Sequence, residues 1–336
     1  MTDSEQSKLI ISSASTPAEL ADESEGPGVE FREVGIPVEI HGVRLDRALA
    51  ELVPEFSRSY LQQLIAAGSV ELNGRVSTKA SARVKAADQL KIELKPTAQS
   101  QAFKPEAMPL AIVFEDEYLM VINKPAGLVV HPAPGNWSGT LLNGLLAHDV
   151  QASLLPRAGI VHRLDKDTSG LMVVARQRQT MDQLVCMIAA RVVSRQYIAV
   201  AHGAWAGASS RRVDFPVGRD PRNRLKMAVV DLERNSGKTA LTDIRVLESG
   251  PEYCVVQCKL ETGRTHQIRV HMAALHHPLV SDELYGGHPA GGLERQALHA
   301  FSLAFRHPVT QEALQFKSEL PADMTAAISN LGLSYN

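Results

Sequence analysis

The chain has 336 residues, of which 44% are hydrophobic and 21% charged, so it is long enough to bury the cores of two globular domains. No apolar run is long enough to cross a bilayer, and the N-terminus lacks the basic and then apolar pattern of a secretory signal, so we expect a cytoplasmic protein with no membrane partner. The three cysteines form no CxxC pair, which argues against a disulfide framework and against a thiolate zinc site.

The net charge of -2 is unevenly distributed along the chain. Residues 1–30 hold seven acidic side chains and one lysine, a net charge of -6, which leaves +4 for the remainder. This segment is rich in Ser, Glu, Ala and Pro and lacks apolar periodicity, so we predict a disordered acidic tail. Any polyanionic ligand would have to bind local basic patches, because the overall field of the remainder is weak.

Residues 38–95 predict a compact unit of two helices and a small sheet. Apolar residues recur at helical spacing in two stretches, Leu45, Ala48, Leu49 and Leu52, and then Leu61, Leu64 and Ile65. Ser57 stands where the second helix needs an N-cap, and Gly68 follows its end, where a left-handed residue is favoured. Short alternating runs on either side of Asn73-Gly74 predict strands, and this dipeptide predicts a tight turn.

Basic residues are spread around these helices and this turn: Arg44, Arg47, Arg58, Arg75, Lys79, Arg83 and Lys85. Each can neutralise a phosphate and release counterions, although a run of charges is also typical of an ordinary solvated face. The string that begins at Arg44-Leu45-Asp46 and ends at Asn73-Gly74 resembles the S4-like RNA-binding domain. The resemblance implies that RNA is bound by Arg44, Arg58, Arg75 and Lys79.

Residues 96–109 hold three prolines among Gln, Ser and Lys, which predicts a linker. Beyond it, residues 110–325 predict one large domain. Strand-like runs lie at 111–114, 118–122, 171–175, 196–201, 240–247 and 253–260, and helical patterns lie near 139–147, 178–190 and 265–275. Because the helices do not alternate regularly with the strands, we predict an α+β fold with a mixed, largely antiparallel sheet.

The densest cluster of reactive side chains lies in residues 159–175. A polar loop that contains His162 and Asp165 feeds directly into an apolar strand, which is how a rigid sheet presents a reactive group. The same loop is equally compatible with a turn in which Asp and Ser satisfy backbone donors. Spacing alone leaves both interpretations open.

The string His162-Arg163-Leu164-Asp165, followed by Thr168-Ser169-Gly170-Leu171, resembles the signature of the RluA family of pseudouridine synthases. Further family-like segments follow the same order as in that family: Asn123-Lys124-Pro125-Ala126-Gly127-Leu128 with His131-Pro132, Arg195-Gln196-Tyr197, and Thr262-Gly263-Arg264-Thr265-His266-Gln267-Ile268-Arg269-Val270-His271. The resemblance covers residues 38–310. It implies the pseudouridine synthase fold behind an S4-like domain, and isomerisation of uridine to pseudouridine in RNA.

The resemblance also implies the roles of five residues. Asp165 is the catalytic carboxylate, Tyr197 is the aromatic that stacks on the uracil, and Ile268 forms the apolar wall opposite. Because burial raises the pKa of a lone carboxylate, a cation is needed beside it, and the resemblance assigns that role to Arg269. The target base must be flipped out of its stack, and Arg163 is expected to occupy the vacated space.

Arg264 and Lys124 are expected to contact phosphates, with ordinary surface charge as the alternative for both. Nothing is consumed in the isomerisation, so we expect no cofactor. We expect no metal either, because His266 and His271 are five residues apart and no HExxH string exists.

One departure from the family pattern is visible. The family usually reads Gly-Asp-Pro before a Tyr-Gly pair, whereas this chain reads Ser281-Asp282-Glu283-Leu284 before Tyr285-Gly286. We expect this loop to lie away from the catalytic strings and to affect loop geometry or substrate fit rather than the chemistry.

The expected partner is large-subunit (23S) ribosomal RNA, including RNA within pre-ribosomal particles, and the enzyme is expected to act as a monomer. Transfer RNA is the alternative substrate. A second alternative is a ribosome-assembly factor that binds RNA without catalysis, and the presence of Asp165, Tyr197 and Arg269 argues against it.

Overall fold

The computed structural model describes residues 30–54, 58–94, 102–133, 135–223 and 226–335. These residues form two compact units, divided between Thr97 and Ala98. Within the described ranges, every helix is too short or too polar to span a bilayer. The predicted N-cap at Ser57, and the predicted acidic tail apart from Glu30, lie outside the described residues.

The smaller unit is a four-stranded antiparallel sheet with two helices. Its elements are β1 (Glu30–Gly35), a 3-10 helix (Val38–Ile40), α1 (Leu45–Leu52), α2 (Arg58–Ala66), β2 (Val70–Leu72), β3 (Arg75–Val76) and β4 (Gln89–Leu94). The strand order is β1-β4-β2-β3. Because β1 pairs with β4 along its whole length, the folded unit begins earlier than the expected boundary at residue 38.

Local chemistry explains the turns of this unit. Gly68 has a φ of 75° after the end of α2, as the sequence predicted for a residue without a Cβ. Asn73 and Gly74 both have positive φ and join β2 to β3, which is the geometry of a type I′ hairpin turn. The predicted two-helix unit on a small sheet is confirmed, with a core of fourteen buried hydrophobic residues that the two helices share with β2 and β4.

The larger unit contains twelve strands and four helices among its described residues. They are β5 (Ile112–Glu115), β6 (Leu119–Lys124), α3 (Leu141–His148), β7 (Ser169–Ala175), α4 (Arg178–Ala189), β8 (Ser194–His202), β9 (Ser210–Val213), β10 (Val217–Arg219), β11 (Met227–Val229), β12 (Gly237–Lys238), β13 (Thr242–Ser249), β14 (Tyr253–Leu260), α5 (Gln267–Ala274), β15 (Leu298–Arg306), β16 (Ala313–Lys317) and α6 (Ala322–Asn330). Three 3-10 helices span Val150–Leu154, Pro156–Gly159 and Glu283–Tyr285.

Nine of these strands form one large sheet. Its order is β5-β6-β7-β15-β8-β14-β13-β9, and β16 pairs with the end of β15. The pair β7–β15 is parallel and the other described pairs are antiparallel, so the predicted mixed, largely antiparallel sheet is confirmed. The strands β10, β11 and β12 form a separate small sheet.

The sheet is covered by helices on both faces, which is why β7 is buried at every position. Met120 and Ile122 of β6 belong to one hydrophobic cluster, whereas Leu119 and Val121 belong to another that includes Leu184 of α4. Neighbouring residues of β6 belong to different clusters because successive side chains along a strand point to opposite faces of the sheet.

The central strand β15 brings two predicted site segments together. His299 pairs with Ser169 at the start of β7 and with Ile198 in the middle of β8. The loop just before β7 therefore lies near the middle of β8, and Asp165 and Tyr197 line the same pocket at the central strands of the sheet.

The larger unit extends beyond the expected boundaries of residues 110 and 325. Asn143 donates from Nδ2 to the carbonyl oxygens of Lys104 (2.8 Å) and Ala102 (3.4 Å), and Glu106 accepts from the backbone of Gly139 at 2.8 Å. The second half of the predicted linker is therefore part of this unit. At the other end, α6 buries Met324, Ala327 and Ile328 and continues to Asn330.

Candidate active site

Asp165 lies in the loop before β7, in the wall of a cleft of about 930 Å³. Its backbone carbonyl accepts a hydrogen bond from the backbone of Thr168 at 3.2 Å, which closes the loop into a turn. The side chain remains 14% exposed. The loop is thus a hydrogen-bonded turn that also supports an accessible carboxylate. The cleft has the size of a small-ligand site.

Arg269 of α5 is the cation beside this carboxylate. Its Nη1 donates to Asp165 Oδ2 at 3.1 Å. The residue is only 7% exposed, so the pair is largely shielded from solvent. The predicted proximity of these two side chains is present in the structure.

Asp282 holds Arg269 from the other side. Arg269 donates from Nε to Asp282 Oδ2 and from Nη2 to Oδ1, both at 2.7 Å, and Asp282 is 2% exposed. Burial acts to lower the pKa of Arg269, but the hydrogen bonds and charge of Asp282, with a further contribution from Asp165, raise that pKa above its ordinary value. The expectation that the 281–283 loop lies away from the catalytic strings is therefore wrong, because its carboxylate binds the arginine that contacts Asp165.

Tyr285 and His266 form a second chain of contacts to Asp165. The Tyr285 hydroxyl accepts from the backbone N–H of Met227 at 3.0 Å and lies 2.8 Å from His266 Nδ1. The other ring nitrogen of His266, Nε2, lies 3.8 Å from Asp165 Oδ1. Burial lowers the pKa of His266, which favours the neutral form. The ring of Tyr285 also lies against the Arg269 guanidinium, 5.0 Å from its centroid.

Tyr197 and Ile268 line the same site. Tyr197, on β8, is 4% exposed, and burial raises the pKa of its hydroxyl to about 12, with the nearby Asp165 charge adding to the shift. Ile268 precedes Arg269 in α5 and is 3% exposed. Both side chains border a small pocket that also contains Asp165 and Arg269.

Arg163 and Arg264 also lie at this pocket and at the larger cleft. Arg163 is exposed and two residues from Asp165. Arg264 is half-buried and donates from Nε to the carbonyl oxygen of Thr239 at 3.0 Å, which leaves its terminal nitrogens for other partners.

Lys124 does not serve as a phosphate contact. The residue is 1% exposed, and its Nζ donates to the carbonyl oxygens of Pro125 (2.8 Å), Leu128 (3.0 Å) and Lys166 (2.9 Å). All three protons of the ammonium are used, and burial lowers its pKa to about 8. The expectation for Lys124 is wrong: it ties the 125–128 turn to the loop that carries Asp165.

His162 and His271 are each held by partners within the protein. His162 Nε2 accepts from the backbone of Val173 at 3.0 Å, and His271 lies 2.9 Å from both Thr242 Oγ1 and the carbonyl oxygen of Phe215. Across the ranges that the structure describes, no group of three or more His, Cys, Asp or Glu side chains is arranged to hold a metal ion.

The basic residues of the smaller unit fall into two groups. Arg44 and Arg58 both bind Asp46, which is fully buried, with shortest distances of 3.0 and 2.7 Å. The hydrogen bond from Arg44 holds the pKa of this carboxyl well below its usual range, against the opposing effect of burial. Arg75 and Lys79, in contrast, are exposed. All four remain accessible, since the side chains of Arg44 and Arg58 are half exposed.

Family models match both units. The RNA pseudouridylate synthase model matches residues 118–274, and the S4 domain model matches residues 43–90. The chain therefore belongs to the RNA pseudouridylate synthase family and has an S4 domain ahead of its synthase domain, as the motifs predicted.

Two relatives and one solved structure match most of this chain. The ribosomal large subunit pseudouridine synthase D of Neisseria meningitidis serogroup A is 47% identical over 309 residues, which cover 89% of this chain and 81% of that protein. The protein of the same name in Xanthomonas campestris pv. campestris is 44% identical over 326 residues, which cover 93% of this chain and 96% of that protein. Among solved structures, human RNA pseudouridylate synthase domain containing 1 is 27% identical, with a TM-score of 0.51 over 70% of this chain and 90% of that chain.

Four residues of this site were assigned no catalytic or substrate-binding role from the sequence. They are Asp282, Tyr285, His266 and Arg195, the last of which lines the same cleft as Asp165. Each lies within or beside a segment that resembles the family. For Arg195 a signal was available, because a residue two positions before Tyr197 on the same strand must share its face.

Proposed function

We propose that this protein isomerises specific uridines to pseudouridine in large-subunit (23S) ribosomal RNA, with Asp165 as the catalytic carboxylate. The observation that carries the proposal is the Asp165–Arg269 pair at 3.1 Å, set beside Tyr197 in a cleft of nucleotide size. Membership of the synthase family supports the reaction type.

The reaction places definite demands on these groups. The N1–C1′ bond of the uridine breaks, the uracil turns, C5 bonds to C1′, and the C5 hydrogen is released as a proton. Asp165 acts either by attacking or stabilising C1′ or by removing the C2′ proton, and both roles require the negative carboxylate. The positive charge of Arg269, held by Asp282, stabilises that form.

The remaining residues bind the flipped nucleotide. Tyr197 stacks on the uracil, and Ile268 forms the apolar wall opposite. Arg163 fills the space that the target base leaves in the RNA, and Arg264 contacts a phosphate through its terminal nitrogens. Uridines in loops are preferred, because an unpaired base costs least to extrude.

The names of the relatives support the choice of substrate, since they specify the ribosomal large subunit. The S4 domain supports RNA binding through Arg44, Arg58, Arg75 and Lys79. We further propose that the enzyme acts in the cytoplasm as a monomer, on RNA within pre-ribosomal particles. Sedimentation of the purified protein, alone and with such particles, tests the monomeric state and the binding to pre-ribosomal particles.

The direct test is a map of pseudouridine across ribosomal and transfer RNA from cells that lack the protein. A few clustered sites in large-subunit rRNA should lose pseudouridine. Re-expression of the unaltered protein should restore them, whereas Asp165→Ala should not. Loss confined to transfer RNA would contradict the substrate, and restoration by Asp165→Ala would contradict the mechanism.

A further inference from the structure

Arg195 is a buried arginine in the wall of the catalytic cleft, and among the residues that the structure describes it has no anionic partner. It lies on β8 two residues before Tyr197, so both side chains project from the same face of the strand. The residue is 6% exposed, and its Nε is buried without a hydrogen-bond partner. Within the described residues, its guanidinium has no ion pair and no side-chain hydrogen bond, yet it lines the same cleft as Asp165.

This arrangement is costly in the free protein. A buried cation without a counter-charge loses hydration and recovers nothing in return. Arg269, which is equally buried, has two carboxylates against it. An arginine that only filled space would be replaced by an apolar side chain at a gain in stability, so the position of Arg195 indicates a ligand that supplies the missing negative charge.

The loop opposite Arg195 leaves room for the guanidinium. A Cβ at Gly263 would lie 2.8 Å from Arg195 Nη1, closer than such contacts occur. Arg195 also acts electrostatically on the cleft: its charge adds to the effect of burial in lowering the pKa of His162 to about 3 and opposes the effect of burial on the pKa of Tyr197.

The depth of Arg195 indicates which part of the RNA reaches it. Backbone phosphates run along the surface, where the exposed arginines of the cleft, Arg157, Arg163 and Arg191, are available to them. An extruded base enters deeper, beside Tyr197. When the N1–C1′ bond breaks, its electron pair leaves with the uracil, and the negative charge spreads over the O2 and O4 oxygens.

We propose that Arg195 donates a hydrogen bond to a carbonyl oxygen of the target uracil and stabilises the negative charge that this base carries while it is detached from the ribose. The charge is lost again when C5 bonds to C1′ and the C5 proton departs, so no further reactant is needed. This inference rests on the proposed function. It adds a catalytic residue that acts on the leaving uracil, whereas Asp165 acts on the ribose.

The first experiment compares Arg195→Gln and Arg195→Lys with the unaltered enzyme under single-turnover conditions. Loss of a preorganised donor to a developing anion should slow the chemical step of Arg195→Gln by about 100- to 1,000-fold, with Arg195→Lys in between and little change in the Kd for RNA. Arg212→Gln, at an exposed arginine of β9, is the matched control and should keep the full rate.

The stability of Arg195→Gln distinguishes a catalytic role of Arg195 from a structural one. Because an uncompensated buried charge is removed, Arg195→Gln should unfold at the same or a higher denaturant concentration than the unaltered protein. If Arg195→Gln is instead destabilised, and its rate falls only in proportion to its folded fraction, then Arg195 has a structural role and the proposal is wrong.

The second experiment varies the leaving group and the flanking phosphates. With 5-fluorouridine at the target, fluorine stabilises the detached base, so the effect of Arg195→Gln on N1–C1′ cleavage should shrink at least tenfold. A neutral methylphosphonate beside the target should slow both proteins equally. If it instead slows only the unaltered enzyme, to the rate of the variant, then Arg195 binds a phosphate and the proposal is wrong. Failure of the unaltered enzyme to form pseudouridine at all would refute the proposed function instead.

Discussion

Replacement of Asp282 by Asn tests whether the second carboxylate holds the catalytic pair in place. The change removes the negative charge and one of two hydrogen bonds at 2.7 Å to Arg269, in a position that is 2% exposed. A buried hydrogen bond to a charged group contributes about 1.5–3 kcal/mol, so we expect the free energy of unfolding to fall by that amount. If the same energy is lost from the transition state, the single-turnover rate falls about 10- to 100-fold, because 1.4 kcal/mol corresponds to a factor of ten.

The assay is single-turnover pseudouridine formation, beside urea unfolding of the same preparations. Asp323→Asn is the matched control, because Asp323 forms a bidentate pair of similar geometry with Arg295 but is 44% exposed. It should cost about 1 kcal/mol or less and leave the rate within a factor of about two. A normal rate for Asp282→Asn would refute the argument that Arg269 must be held from both sides.

Three further predictions concern other parts of the molecule. Lys124→Met should destabilise the protein by about 3 kcal/mol or more in urea unfolding, since three buried carbonyl oxygens lose their donor, while the salt dependence of RNA binding stays unchanged. Burial lowers the pKa of His299 from 6.5 to about 4, so the unfolded chain takes up a proton at this residue first as the pH falls below 6.5. The free energy of unfolding should therefore decrease by about 2 kcal/mol between pH 6.5 and pH 5. His299→Asn should flatten this acid dependence. Arg75→Gln with Lys79→Gln should reduce the slope of log K against log salt by about 0.7 for each phosphate that is no longer neutralised, as measured by RNA titration, and an unchanged slope would show that these side chains do not bind phosphates.

Local patterns predicted much of the fold. The strand expected at 253–260 is β14, and the Asn73-Gly74 turn has the expected backbone conformation. The strand β15 was not predicted, although it lies at the centre of the large sheet. Its run is interrupted by two buried polar residues, His299 and Ser302, and the partner of His299 Nδ1 is the distant Ser169 Oγ at 2.9 Å. Partners that come from 130 residues away leave no local signal.

The candidate site was predicted where its residues belong to contiguous motifs. Asp165 and Arg269 were expected to meet, and they do. Asp282 was misjudged because the chain reverses after α5 and returns it to Arg269, which no spacing rule shows. Lys124 was misjudged because its ammonium is satisfied by backbone carbonyls, groups that every sequence contains and that no residue pattern distinguishes. Contacts made by the backbone and by chain reversals are the part that sequence patterns do not carry.

The most direct test of the account uses a large-subunit rRNA transcript that contains uridine labelled with tritium at C5. Formation of the C5–C1′ bond releases that hydrogen to water, so turnover is read as soluble tritium. The unaltered enzyme should release tritium in proportion to pseudouridine formed. Asp165→Asn should release none while it still folds and binds the transcript, because Arg269 keeps its two bonds to Asp282. Tritium release by verified Asp165→Asn protein would contradict the assignment of Asp165 as the catalytic group.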